Sequence, residues 1–441
     1  SGAAQNAESN WWGHAAGPAG AGDDVLGANV DYTPWLVSGT DLYPGCGFTP
    51  LADNQVTVGP APGCISIGNP CITIPVGITR STSDNLRAFS VNVQLSANLL
   101  LCTGPGSITE GTYLSAIGGT HFEVIDNGGG NYTVDGSILG LPCGATAPSG
   151  NLFNIAVKKA PGPDGTGTIT LASPLLRDCV NGPVATSVGS PLSITIDATA
   201  PIAIAALSAT QLTTGNDADG TTKIILSWPG VEAGATVKLY RAGYGNYPEY
   251  DDPPTPGSVP STPGYLPGAP WTLAASVTGP TTYSDEVGSR DFWYFVAFVV
   301  DACGNVGPVS NQPGGTLNYH LGATHDGFTN CSGENLVNTS DISHLGANYG
   351  VSLVPLDPRN CIDVGPTTNA FVTGRPLTDN LINFEDLIMY AINFGVVSAP
   401  QDGPVAQAAD VNALRLDVPA STMTGETFAV GLWMKGAGDI Q

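Results

Sequence analysis

Two similar eight-residue segments contain the carboxylates whose spacing could do chemistry. The first repeat covers residues 335–342 (NLVNTSDI) and the second repeat covers residues 380–387 (NLINFEDL). Both follow the pattern Asn-Leu-apolar-Asn-x-x-Asp-apolar, and a chance match over eight positions is improbable, so the sequence indicates a duplicated motif. Each repeat places an aspartate, Asp341 or Asp386, at the start of a predicted helix.

The first repeat has the oxygen spacing of a calcium loop. Calcium takes about six to eight oxygen ligands, which a short loop supplies from positions 1, 3, 5, 9 and 12, with a bidentate carboxylate last. Counting back from Asp341, every ligand position bears an oxygen: Asn330, Ser332, Glu334 and Asn338. Position 6 holds Asn335, which tolerates the positive φ needed there. Asp326 is an alternative to Asn330 as the entering ligand.

The second repeat fits the same spacing only with an insertion. Counting back from Asp386 places Asn383 at position 9 and Asp379 at a middle position, but a leucine and an arginine stand where two oxygens are needed. We therefore predict an expanded loop in which Asp363 is the entering ligand, assisted by Asn369. The alternative is a pair of helices whose aspartates only cap helix starts.

Both repeats precede a predicted helix. Apolar spacing predicts one buried face on each helix: Ile342, Leu345 and Tyr349 on the first, Leu387, Tyr390, Ala391 and Phe394 on the second. Gly350 suits the end of the first helix. We expect His344 to face solvent or to cap the helix.

Two calcium loops, each with a single following helix, resemble a dockerin domain, the module that pairs with cohesins. The resemblance covers about 75 residues within 319–399. It implies Ca²⁺ as the bound cofactor and another protein domain as the partner. Two features depart from the dockerin pattern: Asn330 stands where dockerins have aspartate, and the second loop is expanded.

Composition restricts the classes of partner. Only 13 basic residues oppose 37 acidic ones, giving a net charge of −24. Nucleic-acid binding depends on clustered Lys and Arg, so no nucleic-acid partner is expected. Divalent cations are natural counter-ions, although an acidic surface can also serve solubility alone. No apolar run approaches the roughly 20 residues that span a bilayer.

The remaining chain predicts a mainly β protein of tandem immunoglobulin-like β-sandwich domains. Residues 55–197 alternate apolar and polar side chains, as in the segments 72–76 and 89–95, and their order of strands is similar to a cohesin. Residues 198–318 resemble a fibronectin type III domain with Trp228 in its core. An insertion at 244–270 is either a binding loop or irregular surface.

Both ends of the chain resemble parts of other domains. Residues 1–54, with the segments 10–13 (NWWG) and 29–36 (NVDYTPWL), resemble the C-terminal end of a right-handed parallel β-helix. Residues 400–441 look like the opening strands of a second cohesin-like sandwich. Lone strands leave backbone donors unpaired, so we expect these strands to pair within the molecule or to complete a neighbouring subunit.

Nine cysteines occur without the close pairs that zinc, haem or thioredoxin-like sites use. In a Gly/Pro-rich chain they indicate disulfides formed in an oxidising compartment, with Cys102–Cys143 and Cys331–Cys361 as candidate pairs. One thiol is left over. We therefore expect a secreted or cell-surface protein of bacterial origin.

No histidine or nucleophile spacing indicates an enzyme. The leading hypothesis is a calcium-rigidified structural or adhesive protein whose copies associate head to tail into an extracellular assembly or filament. The alternative is the accessory, carbohydrate-binding or anchoring tail of a larger polysaccharide-degrading enzyme, with cell-surface polysaccharide as partner. A third hypothesis is an array of carbohydrate-binding modules that use exposed rings: Trp11, Trp12, Trp35 and Trp271.

Overall fold

The computed structural model describes residues 54–82 and 84–397, together with the backbone of four short strands nearer the two ends. The chain divides into two compact units. The first contains Ser1–Ile202 and Val300–Gly307, and the second contains Ala203–Val299 and Pro308–Gln441. The fold is mainly β, as the alternating sequence predicts.

The strands nearest the ends form two small pairs. Near the N-terminus β1 (Gln5–Asn6) pairs in parallel with β2 (Val30–Asp31). Near the C-terminus β23 (Ala413–Asp417) pairs antiparallel with β24 (Gly431–Lys435). The β-helix motif at 10–13 and most of the one at 29–36 lie outside the described residues, and so do the tryptophans at 11, 12 and 35.

The first sandwich consists of thirteen strands and one short helix, α1 (Thr112–Ser115). Its strands are β3 Asn54–Val58, β4 Ile65–Ser66, β5 Cys71–Arg80, β6 Leu86–Leu95, β7 Leu99–Leu101, β8 Ile108–Glu110, β9 Thr120–Gly128, β10 Asn131–Ile138, β11 Ser149–Lys159, β12 Gly165–Asp178, β13 Pro183–Val184, β14 Ser187–Val188 and β15 Leu192–Asp197. A seven-stranded sheet has the order β4-β15-β12-β6-β10-β9, with β13 beside β12. A six-stranded sheet has the order β14-β3-β5-β11-β7, with β8 beside β11.

Alternation of side chains builds the core of this sandwich. Every second residue of β5 is buried, and in the core the ring of Phe89 on β6 stacks on that of Phe153 on β11 at 5.9 Å. Strands with one apolar and one polar face bury the apolar face against a second sheet. The two sheets therefore follow directly from the period-two pattern.

Disulfide bonds fasten the first unit, although one predicted pairing is wrong. Cys102 bonds to Cys71, not to Cys143, which bonds to Cys179 instead. Pairing follows which strand ends the sheets bring within the 5–6 Å that a disulfide spans, and sequence spacing does not reveal this. A third bond joins Cys64 to Cys303. The disulfides indicate an extracellular setting.

The second sandwich has a three-stranded sheet, β16-β17-β20, and a four-stranded sheet, β19-β18-β21-β22. The strands are β16 Ser208–Gln211, β17 Ile224–Ser227, β18 Thr236–Gly243, β19 Thr272–Thr278, β20 Thr282–Asp285, β21 Phe292–Val300 and β22 Thr316–Leu317. Trp228 is buried in the core, as expected, directly after β17. Trp271 is also buried and donates its Nε1–H to the Ser261 carbonyl, so the expectation of an exposed ring there is wrong.

Two helices follow, α2 (Thr339–Asn348) and α3 (Phe384–Asn393), each starting within a sequence repeat. A short 3-10 helix, Asn360–Ile362, lies between them, and the predicted disulfide Cys331–Cys361 is confirmed. We call residues 319–397 the two-helix module. In the described part of the chain, no helix is long and apolar enough to cross a membrane.

The predicted buried faces of the two helices are partly wrong. On α2 the buried residues are Asp341, His344 and Leu345, whereas Tyr349 is 51% exposed. On α3 they are Asp386, Met389, Tyr390 and Asn393, whereas Ala391 and Phe394 are exposed. The aspartate carboxylates bond to backbone inside the module, and this rotates each helix so that its aspartate faces inward.

Candidate functional site: the duplicated loops and helix α3

The two repeats have the same local structure. Asn335 and Asn380, both at position 6, have φ angles of 61° and 64°. The positive φ predicted for Asn335 is confirmed. Two residues further on, Val337 and Ile382 are fully buried. Their carbonyls join the two repeats: Gly350 N–H, after the first helix, donates to Ile382, and Gly395 N–H, after the second helix, donates to Val337.

Asp341 is fully buried, and its carboxylate accepts three backbone hydrogen bonds. Oδ2 accepts from Asn338 N–H at 2.9 Å, which closes a capping box at the start of α2. Oδ1 accepts from Thr324 N–H at 2.7 Å and His325 N–H at 2.9 Å. The carboxylate therefore fastens the segment that enters the loop to the start of the helix that leaves it.

Asp386 repeats this arrangement in the second loop. Oδ2 accepts from Asn383 N–H at 2.8 Å, and Oδ1 accepts from Val364 N–H at 2.7 Å and Gly365 N–H at 2.9 Å. A carboxylate oxygen has two lone-pair sites, so both sites of Oδ1 are filled by backbone donors. Neither Asp386 nor Asp341 fits the bidentate calcium ligand that the sequence predicts at position 12.

Four of the other ligands predicted in the first loop lie near Asp341. Asp326 forms a side-chain hydrogen bond with Ser332, and its charge reaches Glu334, whose Oε1 accepts from the Asn338 side chain at 2.7 Å. Asn330 is exposed and pairs through its backbone with His325. These contacts favour Asp326 over Asn330 as the entering residue of the loop.

In the second loop, Asp363 and Asp379 lie near Asp386, but Asn369 does not join them. Asp363 Oδ2 accepts from Asn380 N–H at 2.8 Å. The exposed Asp379 carboxylate accepts from Leu381 N–H, and its charge acts on both Asp363 and Asp386. Asn369 is exposed and holds its own turn by accepting from Phe371 N–H at 2.9 Å.

Each loop leaves one buried carboxylate oxygen without a hydrogen-bond partner: Glu334 Oε2 and Asp363 Oδ1. Burial, and then the charge of Asp386, raise the pKa of Asp363 to about 8. Burial, and then the charge of Asp341, raise the pKa of Glu334. A cation would satisfy these two atoms, so the residues fit a metal at Glu334 and Asp363 better than at the closing aspartates.

One carboxylate cluster was not foreseen from the sequence. Asp217, Asp219 and Glu286 are exposed residues of the second sandwich whose oxygens lie within 4.8 Å of one another, the only such trio of metal-ligand types among the described residues. The Asp-x-Asp spacing at 217–219 was the available signal. Exposed acidic clusters are common without ions, and nothing further points to a ligand here.

His344 is buried, so the expectation that it faces solvent is wrong. Its Nδ1 lies 3.3 Å from the Thr324 hydroxyl, and its ring lies 5.4 Å from that of His325. The inward rotation of α2 that buries Asp341 also buries His344, which stands three residues later on the same face. Burial lowers the pKa of His344.

The insertion 244–270 of the second sandwich binds the two-helix module. Glu249 is buried and accepts from Leu356 N–H and from the Asn360 side chain. The Arg375 guanidinium lies 4.2 Å from the centre of the Tyr244 ring. These contacts attach the insertion to the two-helix module, whereas its role in binding another molecule stays a prediction.

Further hydrogen bonds attach the two-helix module to the second sandwich near the first loop. The Asn335 amide donates to the carbonyls of Asp217 and Thr221, at 2.6 and 2.7 Å, and Arg290 donates to those of Gly220 and Ala323, both at 2.9 Å. The first loop is therefore turned towards the second sandwich. The module is a fixed part of the second unit.

The outward side of α3 has a row of apolar side chains that the described residues cover only in part. Phe384, Ile388 and Ile392 are 62%, 37% and 45% exposed. Residues four apart lie on one face of a helix, so these three form a continuous row, which we call the α3 stripe. Rows of exposed large apolar side chains are uncommon on soluble proteins and mark interaction sites.

No family model matches the sequence, and no curated protein matches it. The structure is similar to solved cohesin modules. A non-cellulosomal cohesin from the hyperthermophilic archaeon Archaeoglobus fulgidus is 15% identical, and the match covers 33% of this chain and 91% of that one, with a TM-score of 0.25. The sixth cohesin of scaffoldin B from Acetivibrio cellulolyticus, solved in complex with a dockerin, is 12% identical over 32% of this chain and 98% of that one, with a TM-score of 0.27. The cohesin module of a Clostridium perfringens family 33 glycoside hydrolase is 10% identical over 34% of this chain and 100% of that one, with a TM-score of 0.27.

Proposed function

We propose that this chain is a non-catalytic structural protein of an extracellular assembly, whose copies associate through the two-helix module. The α3 stripe is the observation that supports this. Its three side chains lie on the helix face opposite the buried residues Asp386 and Tyr390, so packing within the module does not account for them.

The attachment of the module strengthens the proposal. Contacts at Glu249, Arg290 and Asn335 fix the module to the second sandwich, so the stripe is presented by a rigid body. A surface held in its binding conformation loses less entropy on association. A contact between unlike faces of successive copies would give rings or filaments, as the sequence-based hypothesis expects.

A single charge in the stripe tests this proposal. We expect Ile388→Glu to abolish association, because a carboxylate would be buried in an apolar contact. The control is Val259→Glu, at a side chain of the second sandwich that is 60% exposed and lies outside the stripe. Sedimentation velocity and electron microscopy should show assemblies for the wild type and the control, and monomers for Ile388→Glu.

Assembly by Ile388→Glu at wild-type concentrations would refute the proposal. A wild-type chain that remains monomeric and binds polysaccharide would favour the alternative, an accessory tail of a polysaccharide-degrading enzyme. A circular dichroism spectrum identical to that of the wild type would establish that the variant is folded.

Calcium is part of the proposal at the two open oxygens, Glu334 Oε2 and Asp363 Oδ1. With so few free carboxylate oxygens in each loop, we expect weak binding, with dissociation constants on the order of 10⁻⁴–10⁻³ M, as in extracellular modules. Titration calorimetry should detect calcium binding in the wild type and in Asp219→Asn, and none in the double variant Glu334→Gln/Asp363→Asn. Unchanged binding in the double variant would refute this part.

A further inference from the structure

A small open cavity lies within the second unit, where the expanded second loop meets the second sandwich. Its volume is about 210 Å³, and it is lined by residues 209–211 of β16, by residues 314–317 at β22, and by Asn369 and Thr373 of the loop. Both β16 and β22 are edge strands, so the cavity lies at the side of the sandwich where the two sheets end. We call this feature the loop cavity.

The lining of the loop cavity is polar but uncharged. None of its nine residues is acidic or basic, although the chain has 37 acidic residues. Five side chains contribute oxygen or nitrogen atoms: Thr210, Gln211, Thr316, Asn369 and Thr373. A charged ligand would lose hydration here without gaining a counter-charge. The lining suits a neutral ligand rich in hydroxyl groups, because hydroxyls and amides both donate and accept hydrogen bonds.

Several of these polar groups remain free to bind a ligand. The Gln211 amide nitrogen donates to the Tyr319 carbonyl at 2.7 Å and to a threonine hydroxyl at 3.2 Å, which leaves its Oε1 as an acceptor. The exposed hydroxyl of Thr210 forms no hydrogen bond with any other described residue. Asn369 Nδ2 donates to Thr373 Oγ1 at 3.2 Å and keeps a second N–H. Donors and acceptors are therefore available on both walls of the cavity.

The loop wall is a braced turn that presents an aromatic ring. Phe371 stands between the lining residues Asn369 and Thr373 in the chain, and it is 67% exposed. Asn369 Oδ1 accepts from Phe371 N–H at 2.9 Å, and Thr367 Oγ1 donates to the Phe371 carbonyl at 2.8 Å. A ring on a fixed backbone loses less entropy when a ligand covers it.

The volume limits how much of a ligand the cavity can hold. Pockets that enclose a drug-sized molecule measure about 300–1,000 Å³, so the loop cavity takes a smaller group. One ring of a sugar chain has hydroxyl groups at its edge for the polar lining and an apolar C–H face for an aromatic ring. The rest of such a chain would continue into solvent through the open side.

We infer that the loop cavity binds one residue of a neutral polysaccharide, with the Phe371 ring against the face of the sugar. Thr210, Gln211 and Asn369 then bond to its hydroxyl groups. The expansion of the second loop, which departs from the dockerin pattern, supplies one wall of this site. The site adds a ligand to the second unit, and it does not depend on whether copies of the chain associate.

Affinity electrophoresis of the full chain, in gels that contain a soluble polysaccharide, tests this inference. The probes are four neutral polymers, namely hydroxyethyl cellulose, arabinoxylan, galactomannan and dextran, and the acidic polymer polygalacturonate is the comparison. We expect at least one neutral polymer to retard the wild type and polygalacturonate to leave its mobility unchanged. Failure of all four neutral polymers to retard the chain would overturn the inference, and so would retardation by polygalacturonate alone.

Two variants, one on each wall, locate the site. Phe371→Ala should weaken binding about tenfold through loss of the ring contact, and Thr210→Val about threefold through loss of one hydroxyl. The control Phe328→Ala removes another phenylalanine, 95% exposed in the first loop and outside the cavity, and should bind like the wild type. Wild-type affinity in either site variant, or an equal loss in the control, would overturn the inference. Unchanged urea unfolding would establish that the variants are folded.

Ile388→Glu separates this site from the assembly proposal. Titration with a short oligosaccharide of the retarding polymer gives a dissociation constant per chain, which does not depend on association. We expect the wild-type constant for Ile388→Glu, because residue 388 lies on α3 and outside the loop cavity. Loss of association with unchanged sugar binding would support both proposals. Loss of sugar binding in Ile388→Glu to the extent seen in Phe371→Ala would place the ligand on the α3 stripe and overturn this inference.

Discussion

Replacing Asp386 with alanine should destabilise the two-helix module far more than removing calcium does. The fully buried Asp386 carboxylate accepts from three backbone N–H groups at 2.7, 2.8 and 2.9 Å. Alanine leaves these donors in place without acceptors. A metal-dependent loop would respond equally to loss of the carboxylate and to loss of the ion.

The structure gives the expected magnitude. An unsatisfied buried donor costs roughly 1–3 kcal/mol, so three cost about 3–9 kcal/mol. The substitution also removes a buried charge. Burial raises the pKa of Asp386 from 3.8 to about 6, which makes its ionised form about 3 kcal/mol less favourable than in water. Relief of that penalty offsets about 3 kcal/mol of the loss, so we expect a net destabilisation of about 3 kcal/mol, the middle of a range of about 0–6 kcal/mol.

Calcium removal should have a much smaller effect. With about 1 mM calcium and a dissociation constant of about 1 mM, binding stabilises the folded state by about 0.4 kcal/mol. Asp386→Asn should lie between the two cases, within about 1 kcal/mol of the wild type, because its carbonyl oxygen can still accept from Val364 and Gly365 without a charge.

Hydrogen exchange in α2 and α3, measured with calcium and with chelator, is the appropriate assay because it reports on the module alone. Asp379→Ala is the matched control, since Asp379 belongs to the same repeat but is exposed and accepts a single bond from Leu381 N–H at 3.0 Å. If chelator releases the helices of the wild type as much as Asp386→Ala does, the carboxylate is a metal ligand and this reasoning fails.

Three further predictions concern the second unit. Gly365→Ala should destabilise the module by about 1–3 kcal/mol in urea unfolding, because the added Cβ would lie 2.8 Å from the backbone nitrogen of Asp386. The control Gly346→Ala, on the open side of α2, should cause no loss of stability. Burial, assisted by the Arg290 charge, lowers the pKa of His320 from 6.5 to about 4. Between pH 6.5 and pH 4 the unfolded state therefore binds a proton that the folded state does not, and the free energy of unfolding of the wild type should fall by about 3 kcal/mol over that window. His320→Gln cannot bind this proton and should not show this part of the fall, as urea unfolding of both proteins at pH 6.5 and pH 4 would measure. Cys361→Ser should lower stability by about 3 kcal/mol without reductant, since Cys331–Cys361 closes a loop of 30 residues, and the difference should vanish when the wild type is reduced.

Local chemistry was accessible from the sequence where it depends on neighbours along the chain. The alternating residues of β5 and β6, the helix starts at Thr339 and Phe384, and the positive φ of Asn335 all follow from short-range pattern and backbone sterics. The mainly β fold follows for the same reason. The dockerin and fibronectin type III resemblances stay predictions.

Pairings between distant segments were not accessible in this way. The partners of Cys102 and Cys143 depend on which strand ends meet, and the burial of His344 depends on how α2 is rotated. Spacing singled out Asp341 and Asp386 as closing ligands of the two loops, and that metal role stays a prediction. Spacing could not reveal that Thr324 and Val364 return to donate to them.

The sequence by itself determined that two duplicated carboxylate loops each lead into a helix, because that information lies in eight consecutive residues. Only the tertiary structure decided what those carboxylates bond, since a carboxylate accepts hydrogen bonds from whichever N–H groups the fold brings near. It also decided that Phe384, Ile388 and Ile392 of α3 are partly exposed within the described part of the chain, because exposure depends on the positions of the other elements.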